Sequence, residues 1–138
     1  TKDQFGAPAI SNIGVSERTT SFVLPIGATV NMDGTSLYQA VAVVALAQFH
    51  MVDLSLAQQA VIVLTATLAS VGAAAIPSAG LVLMIIVLES VGLNPAWIAL
   101  IFPIDRILDM CRTVVNVTGD GTVSALVAQS EGELQPQA

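Results

Sequence analysis

Long apolar runs interrupted by short polar motifs dominate the chain. Residues 1–20 are polar and predict an aqueous loop, whereas residues 21–50 are mostly apolar. Charged residues are absent from residues 34–52 and again from residues 54–88. A helix that crosses a bilayer needs about 20 predominantly apolar residues, so runs of this length predict membrane helices. The pattern therefore indicates an all-α membrane protein.

The motif NMDGT predicts a break within the first apolar segment. Asn31, Asp33 and Thr35 lie two residues apart, a spacing that one regular helix does not gather on one face. Because Gly34 stands beside them, we expect a transmembrane helix that unwinds at residues 31–34 and then restarts. Unwinding exposes backbone carbonyls, which a membrane tolerates only where they are buried in protein or line a polar cavity. A mildly kinked helix with a stray polar patch is the alternative.

Residues 54–91 combine two apolar arms with a tip of small residues. The tip, ASVGAAAIPSAG at residues 69–80, contains two glycines and Pro77 and predicts a turn. Each arm has roughly 10 to 15 residues, a length that suits a re-entrant segment rather than a complete span. We therefore predict a re-entrant helical hairpin that dips partway into the membrane. One long helix kinked at Pro77 is the alternative.

The last apolar segment, residues 95–128, carries a polar stripe along one side. We expect one long transmembrane helix here, followed by a polar tail at residues 129–138. At about 100° per residue, five polar residues fall within an arc of roughly 80°, and these are Asp105, Asp109, Arg112, Asn116 and Asp120. Thr113 lies at the margin of the arc. Charged groups at membrane depth are costly unless they are paired or hydrated, so such a stripe is a candidate functional site.

Composition argues against several other classes of protein. Only 10% of the 138 residues are charged, against roughly 25% in an average soluble domain. The 54% hydrophobic content excludes a disordered chain, and a net charge of -6 argues against a nucleic-acid partner. The single cysteine, Cys111, excludes a disulfide framework within the chain. Because the sequence starts in a polar stretch without an initiator methionine, we expect a fragment of a longer membrane protein.

The stripe offers the chemistry needed to bind an acidic amino acid together with a hard cation. Arg112 presents a planar fork that suits a carboxylate, and Asp109, one turn away, can act as counter-ion for an ammonium group. Asn116 and Thr113 can hydrogen-bond the remaining oxygens of the ligand. Asp120, together with carbonyls of the predicted break, provides oxygen-only ligands that suit sodium. Ion pairs that merely join helices are the alternative interpretation of the stripe.

Three motifs, in order along the chain, resemble those of the dicarboxylate/amino acid:cation symporter family. They are NMDGT at residues 31–35, SVGAAAIPSAG at residues 70–80 and DRILDMCRTVVNVTGD at residues 105–120. The resemblance implies that the chain is the C-terminal third of an elevator-type, sodium-coupled symporter of glutamate or aspartate. It further implies a multi-pass integral membrane protein, of a bacterial inner membrane, that assembles as a homotrimer. It implies no enzymatic activity, no cofactor other than sodium as the coupling ion, and no nucleic-acid partner.

The resemblance also implies roles for individual residues. Asp109 resembles the ligand of the substrate ammonium group, and Arg112 resembles that of the substrate side-chain carboxylate. Further substrate contacts are implied for Thr35, Thr113, Asn116 and the backbone of the hairpin tip at Ile76, Pro77 and Gly80. One sodium site is implied for the carbonyls of Gly27, Asn31 and Asn116 with the Asp120 carboxylate. A second is implied for the carbonyls of Thr29, Ser70, Val71 and Ala73 with the Met32 thioether nearby, and half of a third for the side chains of Asn31 and Asp33.

Several identities within these motifs favour acidic amino acids over other substrates of such a family. Relatives that carry four-carbon dicarboxylates lack the ammonium partner, which this chain keeps as Asp109. Relatives that carry neutral amino acids lack the arginine, which this chain keeps as Arg112. Ala75 departs from the glycine of many relatives and is expected to stiffen the hairpin tip. Two alternatives stay open, namely a four-carbon dicarboxylate carrier of the same family and a structural membrane subunit with ion-paired helices.

Overall fold

Helices account for most of the described part of the chain, which comprises residues 10, 12–73 and 78–134 of this computed structural model. The elements with described bounds are α1 (Glu17–Val30), α2 (Asp33–Phe49), α3 (Leu56–Val71), α4 (Ala79–Ser90), a 3-10 helix (Pro95–Leu100) and α5 (Asp105–Ser130). The all-α fold class expected from the sequence is confirmed.

A break lies in the first apolar segment, where one was predicted, but it is shorter than the expected residues 31–34. α1 ends at Val30 and α2 begins at Asp33, so only residues 31 and 32 separate the helices. The backbone N–H of Asn31 donates to the Gly27 carbonyl at 2.9 Å and closes α1. Met32 occupies the N-cap position of α2 but makes no side-chain capping bond. The first backbone N–H groups of α2 therefore need acceptors from elsewhere in the protein.

The predicted hairpin arms correspond to α3 and α4, which pack against each other and against α2. A capping box of Ser55 and Gln58 fixes the start of α3. Apolar side chains at the centre of the three helices are fully buried, as at Val43, Ile62 and Met84. The predicted substrate contacts Ile76 and Pro77, together with Ala75, lie outside the described residues.

The long helix starts later than the sequence predicted. We expected it to begin at residue 95 or 96, whereas residues 95–100 form a 3-10 helix and α5 begins only at Asp105. Asn94 caps the 3-10 helix through a hydrogen bond from the Ala96 N–H at 2.9 Å, and Pro103 lacks the N–H that a continuing helix requires. The ring of Trp97 stacks on that of His50, with centroids 3.7 Å apart. The 3-10 helix is thereby joined to the end of α2.

A cluster of polar side chains joins the start of α1 to the segment that follows α5. The Glu133 carboxylate accepts hydrogen bonds from the hydroxyls of Ser16 at 2.6 Å and Thr19 at 2.7 Å. It also pairs with the exposed guanidinium of Arg18 at 3.2 Å. Because these hydrogen bonds and this cation favour the charged form, the pKa of Glu133 lies below its ordinary value of 4.5.

The polarity of the helices is partly inverted relative to a water-soluble bundle. The acidic, basic and amide side chains of the α5 stripe are buried, whereas large apolar side chains on every helix are exposed. Examples are Phe22, Leu37, Leu64, Val82 and Val114, all more than half exposed. An extensive exposed apolar surface marks a protein or membrane contact.

No helix within residues 12–73 and 78–134 combines the length and the apolar character required to cross a membrane by itself. α2 and α3 have 17 and 16 residues, and the longer α5, with 26 residues, carries the charged stripe.

Candidate functional site

The polar stripe of α5 faces the interior, as the sequence predicted. The buried side chains of this helix recur every three or four residues and comprise Asp105, Asp109, Arg112, Asn116, Asp120, Ser124 and Ala128. α5 packs against α1 and α2, so the stripe lies against the broken helix. Thr113 does not join this face. Its side chain is exposed, and its hydroxyl donates to the Asp109 carbonyl of the same helix at 2.8 Å.

An ion pair stands at the centre of the stripe. Arg112 donates from Nη2 to Oδ1 of Asp109, and both side chains are nearly inaccessible. The other terminal nitrogen of Arg112, Nη1, is buried and has no hydrogen-bond partner in the described part of the chain. The ring of Tyr38 lies under the guanidinium, with its centroid 5.5 Å from Cζ. Arg112 is thus held by an acid and an aromatic ring while it keeps one buried donor for a further acceptor.

The start of the second hairpin arm lies directly against Arg112. A Cβ atom built on Gly80 would overlap Nη1 of Arg112 and would lie 3.2 Å from Cγ2 of Thr35. The Gly80 carbonyl accepts a hydrogen bond from Nε2 of Gln39 at 2.9 Å. Only a residue without a side chain allows the hairpin backbone this close to the guanidinium. Gly80 therefore lies against Arg112, and its contact with substrate stays a prediction.

Two residues of the site, Tyr38 and Gln39, were not predicted from the sequence, and Ser78 was predicted only as part of the hairpin-tip backbone between Ile76 and Gly80. Tyr38 and Gln39 lie on α2, where Gln39 follows Thr35 by four residues and shares its face. That spacing is the signal that could have found Gln39, which is fully buried. The Ser78 hydroxyl donates to Oδ2 of Asp105 at 2.6 Å, and the Tyr38 hydroxyl donates to Oδ1 of the same residue at 2.9 Å.

The side chain of Asn116 on α5 supplies a hydrogen-bond acceptor for the first turn of α2. Its Oδ1 accepts the backbone N–H of Gly34 at 2.7 Å, one of the donors that the missing side-chain cap leaves open. Its Nδ2 lies 3.4 Å from the Thr35 hydroxyl and 3.5 Å from the Met32 sulfur. Thr35 and Met32 are both buried. The break and the stripe therefore form one polar site rather than two.

The residues of the first predicted sodium group come together around Asp120, in the C-terminal part of the stripe. Asn31 donates from Nδ2 to Oδ1 of Asp120 at 2.7 Å and to the Asn116 carbonyl at 3.3 Å. Gly27 lies so close that a Cβ on it would overlap the Asp120 carboxylate. A carboxylate and backbone carbonyls in one place are the donor set that hard cations prefer.

The other two predicted sodium groups are gathered less completely. Met32 lies beside Asn116, and Ser70 and Ala73 at the end of the first hairpin arm are buried. The side chains of Thr29, Asp33 and Val71 are exposed. The Thr29 hydroxyl bonds to the Ile26 carbonyl of its own helix at 3.0 Å. For these two groups the ligand roles remain predictions.

Comparison with known proteins identifies the family. Residues 8–130 match the family model described as the sodium:dicarboxylate symporter family. The chain belongs to this family. The resemblance noted in the three motifs is thereby confirmed, and the symporters of this family are transporters rather than enzymes, as expected from the sequence.

Several animal members of this family are more than half identical to the chain. It is 53% identical over 116 residues to an excitatory amino acid transporter of Onchocerca volvulus, covering 84% of this chain and 24% of the relative. It is 54% identical over 126 residues to excitatory amino acid transporter 4 of Mus musculus, with 89% and 22% covered. It is 53% identical over 122 residues to excitatory amino acid transporter 3 of Oryctolagus cuniculus, with 88% and 23% covered.

These relatives correct one expectation. The matched part of the chain spans between a fifth and a quarter of the length of such relatives. The relatives named above come from a nematode and two mammals, so the comparisons do not support the bacterial inner membrane that we expected.

Proposed function

We propose that the chain forms part of the transport core of a sodium-coupled symporter of acidic amino acids, glutamate or aspartate. The observation that carries this proposal is the buried Asp109–Arg112 pair beneath Gly80, with one guanidinium nitrogen lacking a partner among the described residues. Burying such a donor without a partner is costly, so the site favours a ligand with an anionic group. Relatives named excitatory amino acid transporters support the same substrate class.

An acidic amino acid matches the charges of this pair. Its side-chain carboxylate can accept from Nη1 of Arg112, in the fork geometry that suits a guanidinium. Its ammonium group can bind the Asp109 carboxylate, while Thr35 and Asn116 supply neutral hydrogen bonds to the other carboxylate. A four-carbon dicarboxylate lacks the ammonium group and would place a carboxylate near Asp109. Two carboxylates placed close together repel each other, so the site favours the amino acid over the dicarboxylate.

We assign the coupling sodium to the cluster of Gly27, Asn31, Asn116 and Asp120. The carboxylate and the carbonyls of the break would replace water around the ion. Asn116 serves both halves of the site, because its side chain contacts Thr35 while its carbonyl accepts from Asn31. An ion that orders the break would thereby order the substrate contacts. Coupling then follows from the higher affinity of sodium for the ordered arrangement.

We further propose that the protein is integral to a membrane. The exposed apolar side chains would face lipid, and the buried stripe would face the transport site. α1 and α2 together would form one discontinuous span, a device common in secondary transporters. The arms α3 and α4 would form a re-entrant hairpin. On the family resemblance alone, we propose that the full-length protein is a homotrimer, which light scattering of the purified protein would test.

Uptake by the full-length protein in liposomes tests the proposed function. We expect uptake of radiolabelled aspartate or glutamate when sodium is present outside and loss of that uptake when choline replaces sodium. Sodium-driven succinate uptake without competition by aspartate would instead identify a dicarboxylate carrier. A folded protein that transports neither substrate would favour the structural subunit, because ion pairs that only join helices require no ligand.

The sodium assignment has a separate test in Asp120→Asn. This variant keeps the size of the side chain and removes its charge, so we expect the sodium concentration for half-maximal uptake to rise. Ser124→Ala is a suitable control, because Ser124 lies one turn further along the same buried face and bonds only to the Asp120 carbonyl in the described structure. A sodium titration of Asp120→Asn that coincides with the wild type would contradict the assignment.

A further inference from the structure

A third buried carboxylate, besides those of Asp109 and Asp120, lies at the start of α5 and has no part in the proposed function. Asp105 is 3% exposed, and its two oxygens accept hydrogen bonds from two different elements. The Tyr38 hydroxyl of α2 donates to Oδ1 at 2.9 Å, and the Ser78 hydroxyl before α4 donates to Oδ2 at 2.6 Å. Asp105 thus connects α5 with α2 and with the residue that precedes α4.

The side chain of Ser78 bonds to Asp105 instead of capping α4. Ser78 occupies the N-cap position of α4, where a serine side chain ordinarily accepts a hydrogen bond from the first turn. Here the side chain makes no capping bond, and the backbone has a left-handed conformation with φ of 60°. A non-glycine residue holds such a conformation only where its surroundings enforce it. Among the described contacts of its side chain, the bond to Asp105 can enforce it.

Both hydrogen-bond partners of Asp105 are connected to the surroundings of Arg112. Ser78 precedes Gly80 by two residues, and Gly80 is the residue whose backbone lies against Nη1 of Arg112. Tyr38 presents its ring to the same guanidinium, 5.5 Å from Cζ. The hydroxyl of that ring bonds to Asp105. One carboxylate therefore fixes the hairpin above Arg112 and the aromatic ring beside it.

We propose that Asp105 is a positioning residue that holds the second hairpin arm closed over the substrate site. This inference rests on the proposed function and adds to it a latch between α5 and the hairpin. Asp105 does not contact the substrate in this scheme. It acts through Ser78, which sets the position of Gly80, and through Tyr38, which orients the guanidinium of Arg112.

Substitution at both ends of the latch tests the proposal in the full-length protein in liposomes. Asp105→Asn removes the charge that two hydroxyls share, and Ser78→Gly removes the hydroxyl while relieving the left-handed backbone. Loss of a hydrogen bond to a charged group predicts a rise of roughly tenfold or more in the aspartate concentration for half-maximal uptake. The double variant should be no worse than the more affected single variant, because both remove one interaction.

Ser90→Ala is the matched control, because Ser90 ends the same arm and its hydroxyl bonds only to the Val87 carbonyl in the described structure. We expect this variant to resemble the wild type. If Ser78→Gly and Asp105→Asn also resemble the wild type while Arg112→Cys loses uptake, the latch is refuted and the proposed function stands. Additive effects of the two latch substitutions would likewise refute a shared interaction.

A spectroscopic measurement makes the latch testable even in a protein that shows no transport. Nitroxide labels at Val82 on α4 and Ile107 on α5, both exposed, would report the distance between the arm and the long helix, with Cys111 replaced by serine. Spin-echo measurements should give a broader or longer distance distribution in Asp105→Asn and Ser78→Gly than in Ser90→Ala. Identical distributions in all three variants would overturn the positioning role.

Discussion

Gly119 offers a direct test of the contact between α5 and the break. A Cβ atom built at Gly119 would lie 2.6 Å from Nδ2 and 3.1 Å from Oδ1 of Asn31. In Gly119→Ala the Asn31 amide must therefore move away. It would then lose its hydrogen bonds to Asp120, at 2.7 Å, and to the Asn116 carbonyl, at 3.3 Å. Gly119→Ala thus disturbs the proposed sodium site without changing any proposed ligand.

Gly121 provides the matched control for this substitution. It lies two residues further along the same helix, and a Cβ there would meet no described atom within 4 Å. Both alanines gain the same helix propensity, about 0.8–1.0 kcal/mol over glycine, so this gain cancels in the comparison. The lost bond to the Asp120 carboxylate remains, and a hydrogen bond to a charged group contributes about 1.5–3 kcal/mol.

That difference predicts a large change in sodium dependence. Since 1.4 kcal/mol corresponds to a factor of ten, the sodium concentration for half-maximal uptake should rise about 10- to 150-fold in Gly119→Ala relative to Gly121→Ala. The assay is sodium titration of aspartate uptake by the full-length protein in liposomes, with equal amounts of each variant. Equal half-maximal sodium concentrations in the two variants would show that the Asn31 amide does not organise the ion site.

Three further predictions concern other parts of the structure. Arg112→Cys should abolish uptake of acidic substrates while admitting small neutral amino acids, measured by labelled aspartate and serine; unchanged aspartate affinity would contradict its role. Gly34→Ala places a Cβ against the Arg112 carbonyl and 3.0 Å from Cβ of Val115, so it should lower the free energy of unfolding by about 1–3 kcal/mol, measured by denaturant titration. Glu133→Gln should lower the thermal midpoint at neutral pH. Because the pKa of Glu133 is lowered by folding, this stabilisation is complete above pH 4.5 and disappears as pH falls through the folded-state pKa; a midpoint difference independent of pH would contradict it.

Periodicity predicted the parts of this fold that depend on a single helix. Five polar residues within one arc of α5 were expected to share a face, and all five are buried there. The alternation of polar residues in NMDGT predicted a break at residues 31–34, and the structure has a shorter one at residues 31 and 32. In both cases the deciding property was the angle between successive side chains, which the sequence contains directly.

Contacts between helices could not be predicted in the same way. The sequence places Tyr38 and Gln39 on the face of α2 below Thr35, but it does not show that α4 and α5 meet that face. Thr113 lay at the margin of the arc and is exposed in the structure, because a few degrees of rotation decide the burial of a marginal residue. The late start of α5 depends on Asn94, which caps the 3-10 helix, and on Pro103, which lacks an N–H. Hydropathy alone does not predict these effects, because the segment is mostly apolar.

The described site contains a feature that helix–helix ion pairing alone does not explain. The Asp109–Arg112 pair lies within α5 and joins no two helices. A purely structural ion pair would also satisfy its buried donors, since an unpaired buried donor lowers stability. Nη1 of Arg112 is buried and lacks such a partner within residues 12–73 and 78–134, although Gly80 and Thr35 stand close to it. The cost is reasonable if a ligand supplies the missing acceptor during part of a cycle. Closure of the hairpin would then depend on that ligand. Because Asn116 contacts both Asn31 at the proposed sodium site and Thr35 beside Gly80, sodium binding would favour the same closure.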